Sequence, residues 1–165
     1  MPLPSSPSVG TKITAAWGSS LLSSLPGKMM GFTSTLTSAT SSGTNGTTEA
    51  LLAGSLLTVT NVEAGRYYTV TFGCKFVVSV ANTTALAIVH ASQSTITTAS
   101  PSIYIAQQPV AATAGNQQEQ TFTCAWVPGA SGTWNLQLGV KSAAGTGNSQ
   151  ITNGNDGVFL FVQTA

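Results

Sequence analysis

From Tyr67 to Val80 the chain reads YYTVTFGCKFVVSV, and Tyr68, Val70, Phe72, Cys74, Phe76, Val78 and Val80 form an unbroken apolar file at every second position. Thr69, Thr71, Gly73, Lys75 and Ser79 stand between them. Side chains alternate faces along a strand, so the pattern predicts one face in a core and the other against water or a lightly polar neighbour. A helix would scatter the same residues around its circumference. At roughly 3.3 Å per residue the run would extend about 45 Å, longer than most globular strands. Gly73 is the natural place for a bend or bulge that divides it. This is the expected central strand of an all-β domain.

The same periodicity recurs downstream. Phe32 to Thr37, Glu49 to Ala53 and Leu56 to Val62 are strand candidates, with Ser42-Gly43-Thr44-Asn45-Gly46 and Ala64-Gly65 as turns. Leu86, Ile88 and His90 alternate with Ala85, Ala87 and Val89, which predicts a strand apolar on both faces. Ser102 to Ile105 is strand-like between Pro101 and Pro109. Phe122, Cys124 and Trp126 point inward from the next strand, and Trp134, Leu136, Leu138 and Val140 from the one after the Pro128 to Gly132 turn. A short strand is expected at Gln150-Ile151, and Val158 to Val162 is apolar on both faces, as befits the middle of a sheet or a subunit contact. About eight to ten antiparallel strands without a helical period predict a β-sandwich or barrel. An immunoglobulin domain would place a tryptophan shortly after the first cysteine. Nothing near Ile88 supplies one, so a jelly-roll β-sandwich is the expected architecture.

The first 30 residues differ. Pro2, Pro4 and Pro7 make an extended lead-in, and after Ile13 the residues Trp17, Leu21, Leu22 and Leu25 fall at helical spacing. Thr14 would cap it and Pro26-Gly27 would end it. Such a helix is too short to stand alone and must dock, either on its own domain or on a partner. The expected organisation is therefore an extended and helical arm, residues 1–30, and a β-sandwich domain, residues 31–165.

Composition sharpens this picture at one point: only 5% of residues are charged, against about a quarter in ordinary proteins. Serine, threonine, asparagine and glutamine must keep the surface wet. A surface of that kind is readily buried against another copy without desolvating ions, which predicts assembly. A monomer adapted to an unusual medium is the other reading. The five basic residues, Lys12, Lys28, Arg66, Lys75 and Lys141, are dispersed, so no nucleic acid is expected as a partner. No apolar run is long enough for a membrane span, and the opening MPLPSSPSVG lacks the layout of a secretory signal.

Candidate chemistry is sparse. The single histidine, His90, lies in an apolar strand and reads as a satisfied core or interface residue. A serine-histidine-acid arrangement would need Asp156, and no GxSxG elbow presents a serine. The four acids, Glu49, Glu63, Glu119 and Asp156, form no motif, so no catalytic residue is expected. Asn153 to Gly157 is the one stretch with calcium-like spacing and reads as a turn. No metal or other cofactor is expected. Cys74 and Cys124 read as buried free thiols, with a sheet-to-sheet disulfide as the alternative. Tyr67 and Tyr104 are candidates for stacking on a sugar, whereas Trp126 and Trp134 read as core.

Glu63-Ala64-Gly65-Arg66-Tyr67-Tyr68-Thr69-Val70, followed by the long alternating strand, resembles the AGRxYxV segment of small structural proteins of tailed bacteriophages. Those proteins in turn resemble the trimeric jelly rolls of tumour necrosis factor and complement globular heads. Gly65, Tyr67 and Tyr68 match the Gly-x-Tyr opening of a core strand, and Val158 to Val162 the apolar last strand near a three-fold axis. Val9 to Trp17 is similar to a short N-terminal segment of phage tail and head-fibre proteins that anchors a fibre or knob. The chain departs from that pattern in lacking a repetitive shaft.

The resemblance implies a non-enzymatic virion protein, assembled in the host cytoplasm, of the minor tail, head-fibre or capsid-decoration type. It would be a homotrimer whose arm docks on major capsid or tail proteins through Ile13, Trp17, Leu21, Leu22 and Leu25. Tyr68, Phe72, Phe159 and Phe161 would make core or trimer contacts. Loops 41–47, 92–101, 111–118 and 143–156 would face solvent. The rival is a carbohydrate-binding module for host-surface adhesion, with Tyr104 at its ligand loop.

Overall fold

The computed structural model describes residues 27–35, 37–81, 83–109, 117–144, 147–152 and 158–165. The helix expected within residues 13–25, and with it Ile13, Trp17, Leu21, Leu22 and Leu25, lies outside the described residues, as does most of the 111–118 loop. The described chain is a β-sandwich of eleven strands. They are β1 Met29–Thr35, β2 Ala39–Thr40, β3 Ala50–Leu51, β4 Leu57–Val62, β5 Tyr68–Val78, β6 Thr84–Ser92, β7 Ser102–Pro109, β8 Gln118–Trp126, β9 Gly132–Ala144, β10 Ser149–Thr152 and β11 Val158–Thr164. One 3-10 turn, Thr44–Gly46, sits in the 41–47 loop. No helix among the described residues is long and apolar enough to cross a membrane.

β5 is the axle of the first sheet. Its even positions from Tyr68 to Val78 are all buried, as the alternation requires, and each large side chain so buried contributes about 1.5–3 kcal/mol. β8 pairs along one edge of β5, from Tyr68↔Trp126 to Phe76↔Gln118. On the other edge β11 pairs with residues 68–73 and β10 with residues 75–78, and β1 and β2 flank those two in turn. The second sheet runs β3-β9-β6-β7, with β4 also on β9. Ala85, Ala87 and Val89 of β6 and Leu136, Leu138 and Val140 of β9 meet the inner file of β5 in one core.

Gly73 neither bends nor bulges the strand. Its registers to Thr121 and to Phe159 are both regular. What requires glycine is the ring of Phe159, which occupies the space a Cβ would need. Gly73 is also the last residue that β11 pairs before β10 takes over the same edge. A real irregularity lies in β4, where the register to β9 shifts between Val59 and Val62 and Asn61 takes a φ of 57°.

Gly65, at a φ of 74°, makes the turn before β5 and donates its N–H to Pro128 O at 2.9 Å. The Glu63 N–H donates to the hydroxyl of Tyr68 at 2.9 Å, so the turn is tied to the strand it opens. β1 starts two residues ahead of the boundary placed at residue 31, because Gly27 and Lys28 already bond to Thr164, the last residue of β11.

The two cysteines do not face each other across the sandwich. Both belong to one sheet, where Cys74 pairs with Gln120 and Cys124 with Val70, four residues out of step. Both are free thiols. Burial pushes Cys74 up to about 12 and Cys124 up to about 11, so neither is a ready nucleophile.

Candidate functional site: the outer faces of the two sheets

Because the even residues of β5 fill the core, its odd residues build the outer face of the first sheet. Register places Phe161 beside Thr71 and Phe159 beside Gly73, and on the far side of β11 it sets Phe32 next to Phe161 and Ser34 next to Phe159. Phe159 and Phe161 stack with ring centroids 6.2 Å apart and planes 18° from parallel, and both are half-buried. Phe32 is 55% exposed. Thr71 and Thr123 continue the row toward β8, joined by a hydroxyl contact of 3.0 Å. The charged groups of this face, Lys75 and Glu119, pair at 2.8 Å at its far end, beyond the phenylalanines. The result is an aromatic and threonine strip free of charge along most of its length.

The residues expected to make core or trimer contacts therefore separate into two groups. Tyr68 and Phe72 are core, the first tilted against Trp126 with centroids 5.5 Å apart and the second between Phe122 and Tyr104. Phe159 and Phe161 point the opposite way, because each is one residue out of phase with the buried Val158, Leu160 and Val162. A segment apolar on both faces left this choice open, and the register to β5 settles it.

The second sheet's outer face is built from Leu86, Ile88 and His90 of β6 and from Gln137, Gly139 and Lys141 of β9. Ile88 is 2% exposed and His90 3%, although Ile88 belongs to no part of the main core. The chain covers this face itself. After Ser92 the 93–101 loop turns back, Ile96 is buried within it, and Ser100 offers its carbonyl to His90 Nδ1 at 2.7 Å. From the other side Glu49 reaches His90 Nε2 at 2.6 Å, and Gly139 leaves the space its carboxylate occupies. The expectation of a satisfied histidine holds, with the partner unforeseen: Glu49 and His90 are 41 residues apart and no spacing links them.

Tyr104 is not on a ligand loop. It lies on β7 with its ring half-buried and edge-on to Phe72, centroids 6.0 Å apart, because β7 and the core of the first sheet close on each other there. Tyr67, just before β5, is the open tyrosine at 63% exposure. Trp126 is buried, and Trp134 is half-buried with its indole N–H given to Ala130 O. Loop 143–156 is shorter than expected, since β9 runs to Ala144 and β10 covers Ser149–Thr152. Residues 145–146 and 153–157, with the acid Asp156, lie outside the described residues.

No protein-family model matches this chain, and no curated protein matches it either. Solved structures do. The Eiger tumour necrosis factor of S. frugiperda superposes with a TM-score of 0.50 at 11% identity, covering 86% of this chain and 94% of that one. The VP2 subviral particle protein of infectious bursal disease virus gives a TM-score of 0.44 at 14% identity over 86% of this chain and 38% of its own. The enzymatically active domain of tailspike protein 4 of bacteriophage CBA120 gives 0.36 at 18% identity over 76% of this chain and 15% of its own. What the first likeness establishes is the fold alone, a jelly-roll β-sandwich.

Proposed function

We propose that this chain is a non-enzymatic structural protein of a tailed-bacteriophage virion, of the capsid-decoration, head-fibre or minor-tail type, and that it works as a homotrimer. The outer face of the first sheet is the surface by which the copies join. Residues 1–26 connect the domain to capsid or tail proteins through Trp17, Leu21 and Leu22. The loops of the sandwich then face outward from the particle.

The observation that carries this reading is the strip of Phe32, Phe159 and Phe161. Three adjacent aromatic rings on a face with its ion pair set at one end are costly to leave in water and cheap to bury against a like surface. The chain-wide scarcity of charge points the same way, since few ions would be desolvated by the contact. The jelly-roll fold supplies a scaffold for such a strip. Adhesion through a sugar is the weaker reading, because Tyr104 packs on Phe72 rather than standing free to stack on a ligand.

Light scattering behind a sizing column tests the proposal directly. The wild-type chain is expected at the mass of three copies and Phe161→Ser at the mass of one. A wild-type monomer across the micromolar range, or a trimer indifferent to Phe161→Ser and Phe32→Ser, would remove the assembly face.

A further inference from the structure

His90 and Glu49 play no part in the assembly proposed above, yet they form a buried titratable pair. Ser100 O can only accept a hydrogen bond, so His90 Nδ1 carries a hydrogen toward it across 2.7 Å. His90 Nε2 and Glu49 Oε1 are 2.6 Å apart, too close for two lone pairs to face each other. One hydrogen therefore lies between them, whether the pair is written as imidazolium and carboxylate or as imidazole and carboxylic acid. The side chains are 3% and 9% exposed, so water does not stand in for it.

No other titratable side chain shares this site among the described residues. The 93–101 loop and β4 contribute none, β7 carries only Tyr104, whose ring lies in the core against Phe72, and Lys141 of β9 lies opposite Leu86, four residues along β6 from His90. The 93–101 loop is held elsewhere by uncharged contacts: Asn135 Nδ2 donates to Ser94 O at 3.1 Å, Gln93 Nε2 to Ser131 O at 2.9 Å, and the Ala91 N–H to Pro101 O at 3.0 Å.

We propose that the His90–Glu49 contact is a proton-operated latch that fastens the 93–101 loop over the second sheet. With its shared proton in place the histidine bridges Ser100 to Glu49 and the loop is closed. When one proton leaves, the ring keeps a single N–H for two acceptors; turned to the Glu49 carboxylate it leaves the Nδ1 lone pair facing Ser100 O in a dry site, and the loop comes away. The release frees the loop, while Glu49 in the segment before β3 keeps the remaining N–H. The sandwich core, which the pair does not enter, stays folded.

Amide hydrogen exchange of the full-length chain, followed from about pH 6 to about pH 9, reads the latch. Protection of the 94–100 amides, corrected for intrinsic exchange, is expected to fall about ten-fold toward the alkaline end while β5 protection stays constant. Glu49→Gln is expected to abolish that fall, because its amide donates to the unprotonated Nε2. Loop protection that tracks β5 at every pH, or a Glu49→Gln profile identical to wild type, would overturn the proposal. Should Glu49→Gln lose β5 protection, the His90 ring nitrogens of the wild-type chain decide by NMR. One of them must lose its hydrogen over the range in which the loop opens, and loop opening without that loss sinks the latch.

Discussion

On the first sheet Phe32, Phe159 and Phe161 stand in a row with Phe32 more than half exposed, whereas on the second Ile88 and His90 are almost wholly buried although they also point away from the core. Both faces come from strands that are apolar on both sides, β11 and β6. The second is covered by the chain's own 93–101 loop and by Glu49. The first carries no equivalent loop among the described residues, and its apolar surface is still available. A doubly apolar strand thus announces that something will lie on its outer side. It does not say whether that is the same chain or another one.

The comparison breaks most forcibly at His90. His90→Ala removes the partner of a buried carboxylate, and a loss of about 3–5 kcal/mol in chemical denaturation is expected. An unchanged midpoint would mean that the covered face is held by the loop's apolar contacts alone. On the open face the corresponding change is Gly73→Ala, whose Cβ collides with the Phe159 ring. That ring can shift outward, so the expected cost is about 1–3 kcal/mol, again by denaturation. A cost equal to that of His90→Ala would show that the first face is as tightly covered as the second.

The smallest effect belongs to the interior that both sheets share. Burial raises the Cys74 thiol from its ordinary range to about 12, so the folded state keeps a proton that the unfolded chain gives up first. The stability this supplies is complete below the ordinary thiol range and is lost as pH climbs toward the raised value. Between neutrality and about pH 9 the loss is expected to be about 1 kcal/mol, and Cys74→Val should flatten that slope. Melting temperature against pH measures it, and equal slopes in the two proteins would count against a buried, protonated Cys74.

Much of the architecture was legible before any coordinates. The alternation from Tyr68 to Val78 marked the central strand and its inner face, and Gly65 marked the turn that opens it. Nearly all the remaining strands fell where alternation resumed, because period two is a local property of the backbone. Gly73 was misread for a related reason. A glycine in a strand signals a missing side chain, and whether it permits a bulge or makes room for a neighbour depends on what lies across the sheet. Tyr104 was misplaced because its surroundings come from the approach of β7 to the other sheet, which its own neighbours in sequence do not encode.

The amino-acid sequence by itself determined that this is an all-β chain with almost no ions to spend on its surface, and which residues line its core. Those follow from side-chain alternation and composition, which need no partner strand to be read. The tertiary structure alone decided that Phe159 and Phe161 face outward, since a strand apolar on both sides has no preferred orientation until register sets one. It alone brought Glu49 to His90 across 41 residues, because only the pairing of β3 and β6 with β9 places them on one face.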